Sequence, residues 1–349
     1  MNIREIARDA ERKVLAETRE KGKVTPYEFS DGAVISEMIG TSDGAKEFVE
    51  KITYDLASGY QSEPLVYKDI YTTLTDANFP ETMTVKSFGN VESVFLQKLE
   101  GGEIKFGSIG AGKETVVKME TWASGMEYDE DITEYNQTWR VSSIGESIGV
   151  AYNRLLNNLY LSPIIDGAYD HAHQVVADTA TTSDIAKAIK KQNGNEAIHL
   201  KGVAQEIKGG LDKPKTWKAA LSILPAGSII LCSSYDEATI KECFLTDILA
   251  NKEQSPTAKK LSAATFITYD GAIFNVGADS YEYKGCPIGT AFLIVPKQNF
   301  KEYIKHDLRV DSGDGDLSRL VVAQIVARAR RGVALALGGK NGAVKITSE

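Results

Sequence analysis

Apolar positions change their spacing along this chain, and each spacing predicts an element. Over residues 2–20, Ile3, Ile6, Ala7, Ala10 and Val14 form a narrow stripe with charge on the other faces. That is the pattern of a helix that docks on a surface rather than one that anchors a core. The surface can be a partner helix, a neighbouring copy or the chain's own body. Lys21–Thr41 carries Gly22, Pro26, Gly32 and Gly40 and reads as an extended linker, followed by a short helix at Ala45–Ala57.

Strand formers come next. Val91–Leu99 leads into the turn signal Glu100-Gly101-Gly102, and Ile104 and Phe106 then alternate with Glu103 and Lys105. Beyond a glycine-rich stretch, Val117, Met119 and Thr121 alternate with Val116, Lys118 and Glu120. Val91–Trp122 therefore reads as a long hairpin. Neither face is apolar enough to be buried alone, so it needs a partner surface.

The spacing then turns helical. Val141, Ile144, Ile148, Ala151, Tyr152, Leu155 and Leu159 predict a helix over Ile132–Leu161, which Pro163 ends. About 30 residues at ~1.5 Å each span roughly 45 Å. Asp131 and Glu134 resemble a capping box with Asp in place of Ser or Thr. Gly145 and Gly149 share one face, and each costs about 1 kcal/mol of helix stability against Ala. Close approach of another backbone is the expected return.

From Asp170 to Gly285 helices alternate with short strands. Helices are predicted at Asp184–Gln192, Glu196–Lys208, Thr216–Leu224 and Asp236–Leu249, and a strand at Ser228–Cys232. Thr265–Tyr269 and Ala272–Val276 flank Asp270-Gly271, the signal for a tight hairpin. Ile288–Val295 is an apolar strand closed by Pro296, and Val321–Leu337 fits strand and helix equally. The lobe is mixed α/β, without a regular repeat.

A chain of 349 residues is long enough for a large core and two compact lobes. Its net charge of -8 argues against a protein dedicated to nucleic acid. The charge is segregated. Leu317–Ser348 holds no acid but carries Arg319, Arg328, Arg330, Arg331, Lys340 and Lys345. Glu302, Asp307, Asp311, Asp314 and Asp316 lie just upstream. The preferred reading is that these charges meet within the fold or between subunits; a tail facing nucleic acid is the alternative. Cys232, Cys243 and Cys286 form neither a CxxC pair nor a disulfide framework, which fits a reducing cytoplasm. The charged N-terminus is not a secretory signal, and no run reaches the ~18 apolar residues of a membrane span.

Candidate chemistry is sparse. Gly107-Ser-Ile-Gly-Ala-Gly-Lys-Glu-Thr115 approaches a phosphate-binding loop: Gly107, Gly112 and Lys113 have the spacing. Glu114, however, replaces the metal-binding hydroxyl, Thr115 comes one place late, and the following residues read as a strand rather than the helix an anion needs. His171 and His173 could offer two metal ligands, but no third is near in sequence. Asp311-Ser-Gly-Asp-Gly-Asp316 has the composition of a calcium loop in the wrong order, and reads as a turn. Glu127, Asp129, Glu130, Asp131 and Glu134 could pair as catalytic acids, but they also suit a helix start. No nucleophile elbow, HExxH or dinucleotide fingerprint occurs. The expectation is a non-enzymatic protein without catalytic, cofactor-binding or metal residues.

The order of elements is more specific than any motif. Trp122-Ala-Ser-Gly-Met-Glu-Tyr-Asp-Glu-Asp-Ile132 runs into the long helix. Tyr283-Lys-Gly-Cys-Pro-Ile-Gly289 continues into an apolar strand, and Arg328-Ala-Arg-Arg-Gly-Val-Ala-Leu-Ala-Leu337 precedes Gly342-Ala-Val-Lys-Ile346. Over about residues 65–349 this order resembles the major capsid protein of tailed bacteriophages, whose fold also occurs in encapsulin shells and herpesvirus capsid floors. The three stretches are similar, in turn, to that family's passage from extended loop to spine helix, its G-x-P-V axial segment and its closing strand.

The resemblance implies an α+β capsid fold. Its parts are an N-terminal arm (1–64), the start of a peripheral domain (65–90) and an extended hairpin loop (91–122). A peripheral domain with its spine helix (123–169), an axial α/β domain (170–310) and a C-terminal strand segment returning to the peripheral domain (311–349) complete it. The implied function is a head subunit that self-assembles into hexamers and pentamers of an icosahedral shell around double-stranded DNA. The implied partners are further copies, a portal, and DNA touched without sequence preference at the inner wall; no cofactor or membrane is implied. The implied location is the virion, assembled in the bacterial host cytoplasm. The stretch before Val91 is short for both a cleaved scaffolding segment and an arm, which implies a separate scaffold protein. Some members cross-link subunits through Lys and Asn; Lys98, Lys105, Lys113 and Asn341 are such residue types, but nothing pairs them and that chemistry is not carried over. The alternatives are an encapsulin-like shell and a nucleotide-binding enzyme using Gly107–Thr115.

Overall fold

Strands of three to fifteen residues surround one 28-residue helix in the computed structural model. It describes residues 51–56, 58–59, 62–86, 114–135, 137–170, 173–176, 210–250, 260–261, 263–276, 279–314, 321–338 and 341–347. The stripe at Ile3–Val14, the linker at Lys21–Thr41 and the helices expected at Asp184–Gln192 and Glu196–Lys208 lie outside the described residues. After helical residues 51–56 and 58–59 comes a 3-10 turn at Val66–Asp69, then β1 (Thr72–Thr75), β2 (Thr82–Lys86), β3 (Glu114–Lys118) and β4 (Glu120–Asp129). Helices α1 (Glu130–Glu134) and α2 (Thr138–Ile165) precede β5 (Gln174–Val176), α3 (Pro214–Ile223), β6 (Ile229–Cys232), α4 (Ser234–Ala250) and β7 (Thr265–Thr268). The chain ends with β8 (Gly271–Val276), β9 (Asp279–Lys284), β10 (Thr290–Ile294), β11 (Phe300–Asp314), β12 (Val321–Leu335) and β13 (Ala343–Thr347). The class is α+β, as expected. Among the described residues, no helix is long and apolar enough to cross a membrane.

Two sheets organise the chain. One has the order β1-β11-β12-β4, antiparallel except for the β1–β11 pair. The other has the order β5-β13-β10-β6-β7 and is mixed. Every residue of β6 and β10 is buried, as in strands covered on both faces. Trp217, Phe244 and Leu293 fill one of these faces. On the other, Leu231, Phe292 and Ile294 meet Tyr152, Leu156, Tyr160 and Ile164 of α2. Tyr160 stacks on Tyr67 with ring centroids 4.2 Å apart.

Several expectations are corrected. Val321–Leu335 is a strand: Ile325, Ala327 and Ala329 are buried while Val326 and Arg328 between them are exposed. The long helix continues through Pro163 to Ile165. A proline in the last turn forfeits only a terminal bond, and Ile164 and Ile165 are buried beyond it. Asp131 and Glu134 cap no long helix. They belong to α1, and the chain widens before α2, where the Gln137 N–H donates to Ile132 O at 3.0 Å. Asp270-Gly271 does not join a hairpin. β7 pairs parallel with β6, and β8 pairs with β9 instead. The Asp270 carboxylate accepts the Ser234 N–H at 2.8 Å, and Gly271 at φ +77° turns the chain out of the sheet. The C-terminal segment divides: β12 lies in the four-stranded sheet, whereas β13 joins the five-stranded one, where Ala343, Val344 and Ile346 are buried.

The stripe of α2 also shifts by one residue. Ala151 is exposed and Leu155 and Leu159 are half-buried, while Tyr152, Leu156 and Tyr160 are buried. Two buried asparagines explain the shift. Asn153 donates to Glu63 O at 2.7 Å and Asn157 to Pro64 O at 2.9 Å, and the Val66 N–H donates back to Asn157 at 3.1 Å. They tie the chain at 63–66 along that side of the helix.

The glycine face of α2 receives helical residues 51–56 and 58–59, as expected of a close backbone approach. A Cβ at Gly149 would lie 2.5 Å from Leu56 O, and one at Gly59 would lie 2.4 Å from Glu146 O. Asp55 sits over Gly145, hydrogen-bonded to Lys51 at 2.6 Å. Burial pushes the Asp55 carboxyl up to about 6, against the opposing pull of Lys51.

Gly149→Val is expected to lose about 1–3 kcal/mol of stability through overpacking. Ala151→Val, on the exposed side, should change it by less than about 1 kcal/mol; equal urea midpoints for the two variants would contradict this docking. Asp55 also gives a pH signature. Its folded state holds the proton more tightly than the unfolded chain, so its contribution is fully present below 3.8 and is lost as pH rises through about 6. Asp55→Asn should therefore gain on the natural chain by about 3 kcal/mol between about pH 4 and pH 7. A pH-independent difference between the two unfolding curves would count against a raised carboxyl.

Candidate interaction surface

Alternation along β12 sends Arg331 to the inner face of the four-stranded sheet, in line with Ile325, Ala327 and Ala329. Its side chain is 4% exposed. A charge there persists only if it is paired and hydrogen-bonded. Arg331 Nη1 donates to Glu302 of β11, Nη2 donates to Asp307 Oδ1 at 2.6 Å, and Nε donates to the Tyr152 hydroxyl of α2 at 2.9 Å. Tyr152 donates in turn to Asp307 at 3.1 Å. The Tyr67 hydroxyl reaches Glu302 Oε1 at 3.0 Å and the Thr73 hydroxyl reaches Oε2 at 2.7 Å. One guanidinium thus joins β11, β12, α2, the 3-10 turn and β1. Burial opposes charge on Asp307, but Arg331 and the Leu308 N–H outweigh it and hold the carboxyl below its usual value. Acids and bases of the C-terminal third do meet within the fold, including Arg328 and Asp311 at 2.7 Å.

Among the described residues, the outer face of the same sheet is covered at one end. There β2 and β3 form a two-stranded ladder, with Thr82 opposite Lys118 and Lys86 opposite Glu114. Val117 and Met119 pack on Tyr303 and Ala334, and a Cβ at Gly332 would lie 2.8 Å from Met119 Sδ. Of the expected hairpin Val91–Trp122, only residues 114–122 are among those described, and β3 there pairs with β2, which lies before the expected bounds. The paired strand begins at Thr82, and the chain leaves the ladder at Met119 to join β12 as β4. The base finds its partner surface on its own sheet. Val91–Leu99 and the turn at Glu100–Gly102 lie outside the described residues.

Past the ladder none of the described elements covers the outer face. His306 is paired across from Arg330 and Arg309 from Arg328. Arg309 is exposed, and Arg328 is 51% exposed. Arg330 donates to the Thr121 hydroxyl at 2.9 Å, and Lys305 donates to Phe79 O. Burial, and then the field of Arg309, Lys305, Arg330 and Arg328, holds His306 below its ordinary value. At the other end of the β12–β4 ladder, Glu127, Glu130, Asp131 and Glu134 are exposed, with Gln324 donating to Glu127 at 3.3 Å.

The remaining candidates are scattered. Glu114 and Thr115 begin a strand, so no helix N-terminus follows Gly107–Lys113, which lie outside the described residues. His171 is also outside them, and the His173 N–H donates to Asp170 O at 2.8 Å. Asp311–Asp314 form no turn: they extend β11, opposite Val326 to Ala323. The acidic stretch does sit where a helix starts, with Glu130 and Asp131 in the first turn of α1. Glu302 and Arg331 are among the charges expected to meet; that this one pair is buried has a single local signal, an arginine at an inward position of an alternating strand.

No family model and no curated protein matches this chain. It is similar to solved structures. One is the capsid of the cyanophage P-SCSP1u, at 10% identity and TM-score 0.45, covering 82% of this chain and 89% of that one. Another is from the Mycobacterium phage Bobi, at 14% identity and TM-score 0.45, covering 82% and 91%. A third is a virus-like particle from Pyrococcus furiosus, at 8% identity and TM-score 0.45, covering 85% and 98%.

Arg331→Met should cost about 3–5 kcal/mol, because it strands Glu302 in the interior. Adding Glu302→Gln should recover part of that loss, since the stranded charge is removed while an acceptor remains for Tyr67 and Thr73. Denaturant unfolding of both variants checks this; a double variant no more stable than Arg331→Met would sink the idea that the unpaired charge dominates.

Proposed function

We propose that this chain is a major capsid subunit of the tailed-phage type, which builds an icosahedral shell of hexamers and pentamers around double-stranded DNA. One of the similar structures is a phage capsid and another a virus-like particle, but the chain's own path carries the reading. A two-stranded ladder fastened to the sheet holds the two ends of a long excursion, 87–113. The chain then runs through β4 into a 28-residue helix, and β12 returns to pair with β4. Residues 87–113, whose flanking residues Lys86 and Glu114 are paired in the ladder, are in this reading the arm with which a subunit grips its neighbours. In this reading the four-stranded sheet and α2 form the peripheral unit, and the five-stranded sheet forms the axial one. Further copies, a separate scaffold, a portal and DNA at the inner wall are its partners, and the virion is its destination.

Electron microscopy of the purified protein, alone and with a candidate scaffold, should reveal shells, tubes or rings. A strictly monomeric species under every such condition would overturn the reading.

A further inference from the structure

The outer face of the four-stranded sheet separates its charges along the strands. At one end, cross-strand pairing sets Arg309 opposite Arg328 and His306 opposite Arg330. Like charges directly opposite one another destabilise a sheet. Asp311 answers only Arg328; Arg309 has no carboxylate partner among the described residues, and Arg330 has only the Thr121 hydroxyl. Arg309 and Arg328 are exposed, His306 and Arg330 are half-buried, and the cluster is electrostatically incomplete among the described residues. At the other end of the β12–β4 ladder, exposed Glu127, Glu130, Asp131 and Glu134 form an acidic lip. From Arg330 to Gln324, which bonds Glu127, the strand covers about 20 Å at ~3.3 Å per residue.

We propose that the basic face around Arg309 and Arg330 receives the acidic lip Glu127–Glu134 of a second copy of this chain, in a head-to-tail contact. The proposal rests on the reading that copies of this chain assemble, and it names the charges that meet. Both halves lie on one ladder and are offset along it, so a second copy that is rotated as well as displaced can set acid over base while its own basic face stays free for a third. Because the two surfaces differ, the contact is heterologous, the kind that closes rings or extends chains of subunits. The exposed carboxylates of the lip supply the charge that this basic face lacks, and a second copy is the occupant that carries them.

Two charge reversals test it. Arg309→Glu with Arg330→Glu reverses the face; Asp131→Lys with Glu134→Lys reverses the lip. Each protein alone should fail to assemble under conditions where the natural chain does, as read by sedimentation and electron microscopy. An equimolar mixture should assemble, because the reversed lip now matches the reversed face and the intact pair also remains. Assembly of either variant alone at the natural level overturns the proposal. So does failure of the mixture when both variants keep the natural circular dichroism. Loss with the face variant but not the lip variant overturns it too, and points to another polyanion. If a reversal perturbs the fold, Arg309→Gln and Arg330→Gln replace it. Each should then weaken association at low salt by about threefold, and an unchanged association constant overturns the proposal. A natural chain that never assembles would remove the capsid reading itself, a separate outcome.

Discussion

A single buried guanidinium sets the geometry on which the rest of this molecule depends. Arg331 reaches the inner face because β12 alternates, and it cannot remain there uncompensated. Glu302 and Asp307 from β11 and the Tyr152 hydroxyl from α2 meet it from different elements. Tyr67 and Thr73 then fasten the 3-10 turn and β1 to Glu302. Apolar packing alone would tolerate some sliding of the helix along the sheet. A directional set of bonds to one planar group fixes which turn of α2 faces which residue of β12. The asparagines at 153 and 157 hold the chain at 63–66 to the same helix. The body is therefore stiff where the ladder of β2 and β3 is rooted.

That stiffness gives the ladder its meaning. Read alone, the strands near Val117 lack a buried face. On the molecule, Val117 and Met119 are buried against Tyr303 and Ala334, and Gly332 leaves the space for them. The weakness of the isolated hairpin is relieved within the chain at its base.

Legibility followed the range of the interactions. The glycines at 145 and 149 announced a backbone contact because their spacing alone defines a face, and helical residues 51–56 and 58–59 fill it. The segregation of acids and bases after Glu302 announced internal pairing because the opposite charges lie close in sequence. What stayed hidden has remote partners. Asp270-Gly271 reads locally as a hairpin turn, yet its carboxylate serves Ser234 and its flanking strands join different sheets. Asn153 and Asn157 carry no local sign that they bind the backbone at 63–66. β12 fits either period until its neighbours are known, and the inward phase of Arg331 follows only from the strand. The basic face follows in turn from the register of β11 against β12, where two bulges bring Arg309 opposite Arg328.

The proposed capsid role requires residues 87–113, whose ends meet at the β2–β3 ladder, to contact other copies of the chain. Cross-linking an equal mixture of ordinary and heavy-isotope protein, followed by mass spectrometry, reads this directly. Links from Lys98, Lys105 or Lys113 that join one ordinary and one heavy copy are predicted in the assembled fraction. Links confined to single copies, in particles that have assembled, would contradict the account.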